Sequence, residues 1–212
     1  MAHLRVENYG CNVNQNVPSN DYLEPAVVNA CRRLGVSSVL DLGCGKGDIA
    51  RALARSGFDV MGCDADAEGI RIAAESSPQI QFSHLGVYDD PAALGRRDLD
   101  AVVSTEVIEH LYTPRALPRF ANQVLKEGGW LIITTPYHGY LKNLALAVTG
   151  HWDQHLSPLW DGGHIKFFSR PVLTRLLEEE GFEVQAFQGI GRLPYLWKSM
   201  LLLAKKVRPV SS

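Results

Sequence analysis

The chain has 212 residues, of which 46% are hydrophobic, and 21 basic against 23 acidic residues give a formal net charge of −2. This length and composition are sufficient for one sizeable core and predict a single globular domain. The small acidic excess argues against a nucleic-acid partner, and the lack of a signal-peptide pattern or of a long apolar run favours a cytoplasmic protein.

Residues 1–20 are polar and rich in asparagine, and they are expected to form a tail or a lid. After them, the apolar periodicity alternates between that of strands and that of helices. The predicted elements, in chain order, are a helix at 21–34, a strand at 37–42, a helix from 48 to about 57, a strand at 58–63, a helix at 67–75, strands at 80–84 and 99–104, a helix at 114–126 ended by Gly128 and Gly129, a strand at 130–135, a helix at 170–180, and strands at 182–187 and 200–204.

This alternation predicts an α/β fold with a doubly wound, mostly parallel sheet and helices on both of its faces. Residues 136–168 interrupt the alternation and are rich in histidine and aromatic residues. We expect one domain over 21–206, with the insertion at 136–168 as a substrate cover, and a C-terminal tail at 207–212.

The stretch VLDLGCGKGD, residues 39–48, brings three glycines directly after an apolar strand. Glycines permit a sharp turn and close approach of a ligand, and the helix that Asp48 is expected to cap points its free N–H groups at the same place. Asp64 ends the next strand 23 residues after Asp41, near the spacing at which a carboxylate reaches ribose hydroxyls. The turn therefore predicts a cofactor that contains adenosine. The glycines are Gly43, Gly45 and Gly47.

Two details favour S-adenosylmethionine over a dinucleotide. The glycines read GxGxG rather than GxGxxG. Asp41 precedes them by two residues, where its carboxylate would repel a pyrophosphate and attract an ammonium group. A nicotinamide-dependent oxidoreductase and a non-catalytic cofactor-binding protein are the alternatives from other classes.

Four segments carry a resemblance to class I S-adenosylmethionine-dependent methyltransferases: VLDLGCGKGDIA, VMGCDAD, LDAVVSTEVIEHL and LKEGGWLIITTP. EVIEH and GGHIKFFSRPVLTRLLEEEGFEV further resemble the ubiquinone-biosynthesis O-methyltransferase group, and the resemblance covers about residues 21–206. It implies a Rossmann-like sheet of seven strands with the last strand antiparallel, and methyl transfer to a small molecule.

The resemblance also implies the contacts of the cofactor. The turn after the first strand would hold the methionyl end, Asp41 would reach its amino group, and Asp64 would take the ribose hydroxyls. Ala65 would pack on the adenine, and Ser104 and Thr105 would face the sulfonium. The residues implied in cofactor binding are Asp41, Gly43, Cys44, Gly45, Asp64, Ala65, Val87, Tyr88, Ser104 and Thr105, with Asp89 as an adjacent candidate.

A hydroxyl acceptor needs a group that takes its proton, and histidine suits this role. The candidate catalytic residues are His110, His138 and His164. For each of them the alternative is a structural hydrogen bond. Glu106 and Glu109 could form an acid–base pair, but the favoured interpretation is that they are charges at a helix N-terminus.

No metal is expected. His151 and His155 in HWDQH have a spacing that suits zinc on a helix, but a third ligand at a persuasive spacing is missing. The cysteines form no CxxC pair and are expected to be reduced thiols. They are Cys11, Cys31, Cys44 and Cys63.

The aromatic residues between Tyr137 and Phe168 predict a pocket for a flat or apolar small molecule. Methylation of a hydroxyl oxygen is preferred, with nitrogen or carbon as the alternative. Residues 141–152 resemble in position a membrane-touching insertion of the ubiquinone-pathway enzymes. Their apolar stripe is expected to cover the pocket, with peripheral membrane contact second and dimer contact as a further alternative. The stripe consists of Leu141, Leu144, Ala145 and Val148.

Overall fold

The computed structural model describes residues 20–156, 159 and 163–209, without the side chains of residues 20, 154 and 155. The predicted N-terminal tail or lid, including Tyr9 and Cys11, therefore lies outside the described residues apart from residue 20. So do Trp160 and Asp161 of the insertion and the last residues of the C-terminal tail.

Strands and helices alternate as the apolar periodicity predicts. The helices are α1 (Asn20–Leu34), α2 (Asp48–Arg55), α3 (Ala67–Ser76), α4 (Ala116–Val124), α5 (Tyr140–Thr149), α6 (Trp152–Leu156) and α7 (Arg170–Glu179), with short 3₁₀ turns at Pro91–Leu94 and Ile108–His110. The strands are β1 (Ser38–Leu42), β2 (Asp59–Asp64), β3 (Gln81–His84), β4 (Leu99–Thr105), β5 (Leu125–Pro136), β6 (Phe182–Ile190) and β7 (Ser199–Lys206).

The strands form one sheet in the order β3-β2-β1-β4-β5-β7-β6. The first five pair in parallel, and β7 runs antiparallel to both β5 and β6. This confirms the predicted doubly wound, seven-stranded sheet with its last strand antiparallel. The strand order reverses between β1 and β4, and such a switch point opens a crevice beyond the carboxyl ends of the strands.

Each face of the sheet buries its own core, because alternate residues of a strand point to opposite faces. Leu23 of α1 and Leu53 of α2 pack with Val39 on one face. Phe120 of α4 and Leu177 of α7 pack with the other face. These helices hold the strand ends of the crevice in fixed positions.

Two local predictions are wrong. The helix predicted at 114–126 ends at Val124, and the residues up to Gly129 belong to β5. Leu125 pairs with Leu99 of β4 and Lys126 forms an ion pair with Asp100, so strand pairing overrides the helical propensity of this segment.

Asp48 does not cap α2 either. Gly47 occupies the N-cap position, in the left-handed conformation and without a side-chain hydrogen bond. Asp48 is the first helical residue, and its carboxylate forms an ion pair with Arg51 one turn later. The carboxylate still lies in the first helical turn, where the helix dipole favours a negative charge.

Cys31, Cys44 and Cys63 are buried, free thiols. Burial raises the pKa of the Cys31 thiol to about 12 and raises that of Cys44 as well. Both thiols are therefore protonated and inert at neutral pH. Within the part of the chain that the structure describes, every helix is too short or too polar to cross a bilayer.

Candidate functional site

The glycine turn lies at the carboxyl end of β1 and is tied to β2. The N–H groups of Gly43 and Cys44 both donate to the carbonyl of Cys63, at 2.8 and 3.1 Å. The turn therefore holds one shape before any ligand binds, beside the N-terminus of α2.

Asp64 fixes the other side of this turn. One carboxylate oxygen accepts the N–H of Gly45 at 2.7 Å, and the other accepts the N–H of Asp66 at 2.8 Å. Burial raises the pKa of Asp64, while the two backbone donors favour its ionised form. The carboxylate of Asp64 therefore lies beside the glycine turn, and its contact with a ribose stays a prediction.

Asp41 is fully buried beneath the turn, and neither of its carboxylate oxygens has a hydrogen-bond partner among the described residues. Burial, reinforced by the charge of Asp64, raises the pKa of Asp41 to about 7. A buried carboxylate without a donor is costly unless a ligand supplies one. The ammonium of a methionyl group supplies both donors and charge, so these residues fit S-adenosylmethionine.

The loops after β2 and β3 meet beside the turn. A Cβ on Gly86 would lie 2.9 Å from the Cβ of Ala65, and the N–H of Gly86 donates to Asp89 at 2.9 Å. Tyr88 is 48% exposed, and its hydroxyl accepts the N–H of Thr113 at 3.1 Å. Val87 is half-buried against the core. This close approach leaves the exposed Ala65 and Tyr88 as a surface on which a flat ring can pack.

The carboxyl end of β4 holds the two residues that are predicted to face the sulfonium. The hydroxyl of Ser104 is buried and donates to the carbonyl of Leu42 at 2.8 Å, so it joins β4 to β1. Thr105 is half-buried and pairs with Thr134 at the end of β5. The approach of both residues to the sulfonium stays a prediction.

Two of the three candidate histidines meet next to a buried carboxylate. The rings of His110 and His164 lie 4.9 Å apart, edge to face, and His110 Nδ1 lies 3.2 Å from the carbonyl of Gly163. Glu109 Oε1 has no hydrogen-bond partner among the described residues and lies 4.0 Å from His164 Nε2.

Backbone and side chain both hold Glu109 in this place. Its carbonyl accepts the N–H groups of Ile165 and Lys166 at 2.9 and 3.0 Å, and its other carboxylate oxygen accepts the Thr135 hydroxyl at 3.0 Å. The insertion is thus fastened to the 3₁₀ turn after β4, which brings His164 to the crevice.

This cluster can exchange protons or hold a cation. Burial, followed by the charges of His110, His138 and Lys142, lowers the pKa of His164 to about 4, so its imidazole is neutral at pH 7. Burial also raises the pKa of Glu109. One ligand atom from each of Glu109, His110 and His164 lies within 4.8 Å of the others, a set that suits a divalent cation.

His138 is buried apart from this pair and packs edge to face on Phe167 at 5.1 Å. Its Nδ1 lies 3.4 Å from the side-chain oxygen of Asn143. His151 is exposed, and the side chain of His155 lies outside the described residues. The expectation that HWDQH holds no metal therefore stays a prediction.

Glu109 lies in the first turn of the 3₁₀ helix Ile108–His110, as the favoured interpretation expects, but it is buried. Glu106 precedes this helix, where it is half-buried and adopts a left-handed φ of 53°. Its carboxylate accepts the hydroxyls of Thr134 at 2.8 Å and Ser199 at 3.1 Å. Tyr22 of α1 completes this group, 3.4 Å from the Ser199 hydroxyl.

Sequence reasoning also missed Lys142, which is 5% exposed. The apolar stripe of the same helix faces outward, because Leu141, Leu144 and Val148 are all exposed. The role of this stripe as a pocket cover stays a prediction. No local signal in the sequence indicates that Lys142 is buried.

We expect Gly43→Ala to destabilise the protein and to weaken cofactor binding. Gly43 has a φ of 81°, and a Cβ there would lie 2.4 Å from a methyl group of Val107. Gly35→Ala is the matched control, with a φ of 64° and nothing within 4 Å of an added Cβ. The conformational strain alone costs about 1–2 kcal/mol at either position. Thermal unfolding should show a larger loss for Gly43→Ala, and equal losses would contradict the contact with Val107.

The chain was compared with known proteins. A family model described as a methyltransferase domain matches residues 19–186. The ubiquinone biosynthesis O-methyltransferase of Ruegeria sp. (strain TM1040) is 33% identical over 170 residues, 76% of this chain and 66% of that protein. Its counterpart from Thiobacillus denitrificans (strain ATCC 25259 / T1) is 29% identical over 166 residues, 76% and 71% of the two chains.

Among solved structures, magnesium protoporphyrin IX methyltransferase from Synechocystis PCC 6803 with bound SAH superposes with a TM-score of 0.64 at 20% identity. The match covers 87% of this chain and 82% of that one, and it shows the common fold. The family model spans most of the chain, including both cofactor turns. The chain therefore belongs to the methyltransferase-domain family and is an S-adenosylmethionine-dependent methyltransferase.

Proposed function

We propose that this enzyme transfers a methyl group to a hydroxyl oxygen of a small aromatic acceptor, and that His164 beside Glu109 takes the hydroxyl proton. The observation that carries the proposal is the position of this pair. Glu109 follows the end of β4, and its carbonyl holds the backbone that follows His164. A neutral imidazole can accept a proton, and the ionised form of the adjacent Glu109 would stabilise the imidazolium that forms.

The ten residues predicted to hold the cofactor remain the proposed binding set, on the geometry of Asp41 and the glycine turn. When bound, S-adenosylmethionine supplies a methyl group on a positively charged sulfur, which becomes a neutral thioether. The chain's own residues orient the acceptor, exclude water and move its proton to His164 Nε2 or Nδ1.

Aromatic side chains near the carboxyl end of β5 support a flat acceptor. Tyr137, Phe187 and Trp197 form a mutually packed group, with Tyr137 and Trp197 edge to face at 5.1 Å. Phe167 packs on His138 and is 48% exposed. These rings offer apolar surface, and Phe167 offers it directly beside His138.

Methyl transfer from labelled S-adenosylmethionine to matched panels of phenols, anilines and activated-carbon acceptors tests the proposal. We expect label in the phenols, with the product identified as an ether by mass spectrometry and NMR. Label confined to anilines or to carbon acceptors would assign the alternative reaction and contradict oxygen as the site of transfer.

We further propose that the exposed stripe of α5 contacts a membrane surface, because Leu141, Leu144 and Val148 present apolar side chains to solvent. The double substitution Leu144→Glu and Val148→Glu should reduce sedimentation with phosphatidylcholine–phosphatidylglycerol vesicles at least about tenfold, since each apolar side chain contributes about 1.5–3 kcal/mol when buried. Val172→Glu, on the exposed face of α7, is the control. Equal sedimentation of all three proteins would contradict membrane contact through α5.

A further inference from the structure

Lys142 is the buried residue of a helix that is otherwise open to solvent. It lies in the first turn of α5 and is 5% exposed, whereas its neighbours Leu141 and Leu144 are exposed. A lysine usually carries its ammonium into water, and a fully buried one is uncommon unless it is paired. The amphipathic pattern of α5 therefore does not explain why this side chain is buried.

The ammonium has one weak partner. It donates to the carbonyl of Lys198 at 3.4 Å, and it makes no ion pair with a carboxylate within the described ranges 20–156, 159 and 163–209. A buried charge without a counter-ion costs free energy, because water no longer solvates it. The site thus has a cation whose donors are largely unused.

The carbonyl that Lys142 contacts lies close to the carboxyl end of β5. It also accepts the N–H of Tyr137 at 3.0 Å, at the point where β5 ends and β7 begins. The next residue, Ser199, donates its hydroxyl to Glu106 at 3.1 Å. The ammonium therefore lies at the same end of the sheet as Glu106, beyond the carboxyl end of β5.

Glu106 does not neutralise this ammonium by contact. Each of its carboxylate oxygens already accepts a hydroxyl, one from Thr134 and one from Ser199. The charge of Arg192 also acts on Lys142, and the charge of Lys142 acts in turn on His138 and His164. Burial and the charge of Arg192 lower the pKa of Lys142 to about 8, so most of the ammonium is charged at pH 7.

We propose that Lys142 recognises an anionic oxygen of the acceptor, either a carboxylate or an ionised hydroxyl. Glu106 acts on Lys142 only at a distance, whereas an oxyanion would supply a counter-ion in direct contact and accept a charge-assisted hydrogen bond, which is stronger than one between neutral groups. Lys142 is then a specificity-determining residue that selects acidic aromatic acceptors. The inference rests on the proposed function, because it deepens the description of the same acceptor site.

Calorimetry on the protein saturated with S-adenosylhomocysteine tests the inference. Two matched pairs of probes separate the sources of the oxyanion: 3,4-dihydroxybenzoate with its amide for a carboxylate, and 4-nitrocatechol with catechol for an ionised hydroxyl. In at least one pair we expect the acidic member to bind about 10- to 100-fold more tightly to the wild type. Lys142→Met should abolish that preference and Lys142→Arg should retain part of it.

Lys126→Met is the matched control, because Lys126 is an exposed lysine at the amino end of β5, where it pairs with Asp100 of β4. Lys142→Met removes an unpaired buried charge, so its melting temperature should equal or exceed that of the wild type. The absence of any acid preference in the wild type, or the same preference in Lys142→Met, overturns the assignment of Lys142. Failure of the wild type to bind S-adenosylhomocysteine would instead be a failure of the cofactor site, which the first titration reports separately.

Discussion

Asp41→Asn is expected to weaken the binding of S-adenosylhomocysteine by roughly 30-fold or more, while the unliganded protein becomes no less stable. The carboxylate of Asp41 is fully buried, and both its oxygens lack a partner among the described residues. The asparagine removes a costly buried charge from the free protein, but it also removes the counter-charge of the methionyl ammonium. Losing one member of such a pair costs about 2 kcal/mol or more in binding.

Calorimetry at pH 7.5 measures this loss, and 5′-methylthioadenosine provides the matched control ligand. It carries the adenosine but not the methionyl ammonium, so its affinity should be the same for the wild type and Asp41→Asn. Unchanged binding of S-adenosylhomocysteine to Asp41→Asn would remove Asp41 from the methionyl site. An equal loss for both ligands would indicate a distorted turn instead of a lost charge.

The raised pKa of Asp41 also predicts a pH dependence of stability. Burial, then the charge of Asp64, raises its pKa to about 7, against about 4 in an unfolded chain. Between these values the folded state holds a proton that the unfolded state has lost. The contribution of Asp41 to the free energy of unfolding therefore falls as pH rises from about 4 to about 7. Melting temperatures of the unliganded protein should show a shallower decline over that range in Asp41→Asn than in the wild type.

Proton release upon cofactor binding provides a second readout. A bound ammonium favours the ionised form of Asp41, so binding near pH 6.5 should release part of a proton. Binding enthalpies measured in buffers of different ionisation enthalpy report the number of protons released, and this number should be lower for Asp41→Asn.

His164→Gln is expected to reduce kcat about 100- to 1000-fold with an acceptor found in the phenol panel, while the affinity for S-adenosylhomocysteine stays unchanged. The neutral imidazole of His164 is the proposed proton acceptor, and general bases contribute about 100- to 10,000-fold to rate. Glu109→Gln should cause a loss of the same order, since Glu109 Oε1 lies 4.0 Å from His164 Nε2 and stabilises the charge that develops.

His151→Gln is the matched control, because His151 is an exposed histidine of the same insertion and should leave kcat unchanged. The assay is repeated after treatment with EDTA and after addition of Mg²⁺ or Mn²⁺. Full activity in EDTA supports proton transfer to His164. Activity that disappears in EDTA and returns with the cation would show that Glu109, His110 and His164 act as cation ligands, which contradicts the assignment of His164 as the base.

Local sequence determines the cofactor end of this protein. Asp41, the glycine turn and Asp64 lie within two consecutive strands, and the helix between them needs only a crossover of fixed hand to bring the strand ends together. The contact between Asp64 and Gly45 spans 19 residues. The alternation of strand and helix likewise predicts the sheet, because each element buries one face or stripe.

The acceptor end was decided by the tertiary structure. Glu106 meets Ser199 across 93 residues and Tyr22 reaches Ser199 across 177, so no local pattern relates them. Glu109 and His164 lie far apart in the chain, yet the insertion brings them together through backbone hydrogen bonds to the 3₁₀ turn.

Helix α5 shows most clearly the difference between what sequence periodicity predicts and what tertiary packing decides. Its spacing correctly places Leu141, Leu144 and Val148 on one stripe, but the stripe faces solvent while Lys142 is buried. Periodicity determines which residues share a face of a helix, and it contains no information about which face the rest of the chain covers. The sequence by itself determined the fold class and the cofactor turn, whereas the proposed acceptor site depends on packing between residues far apart in the chain.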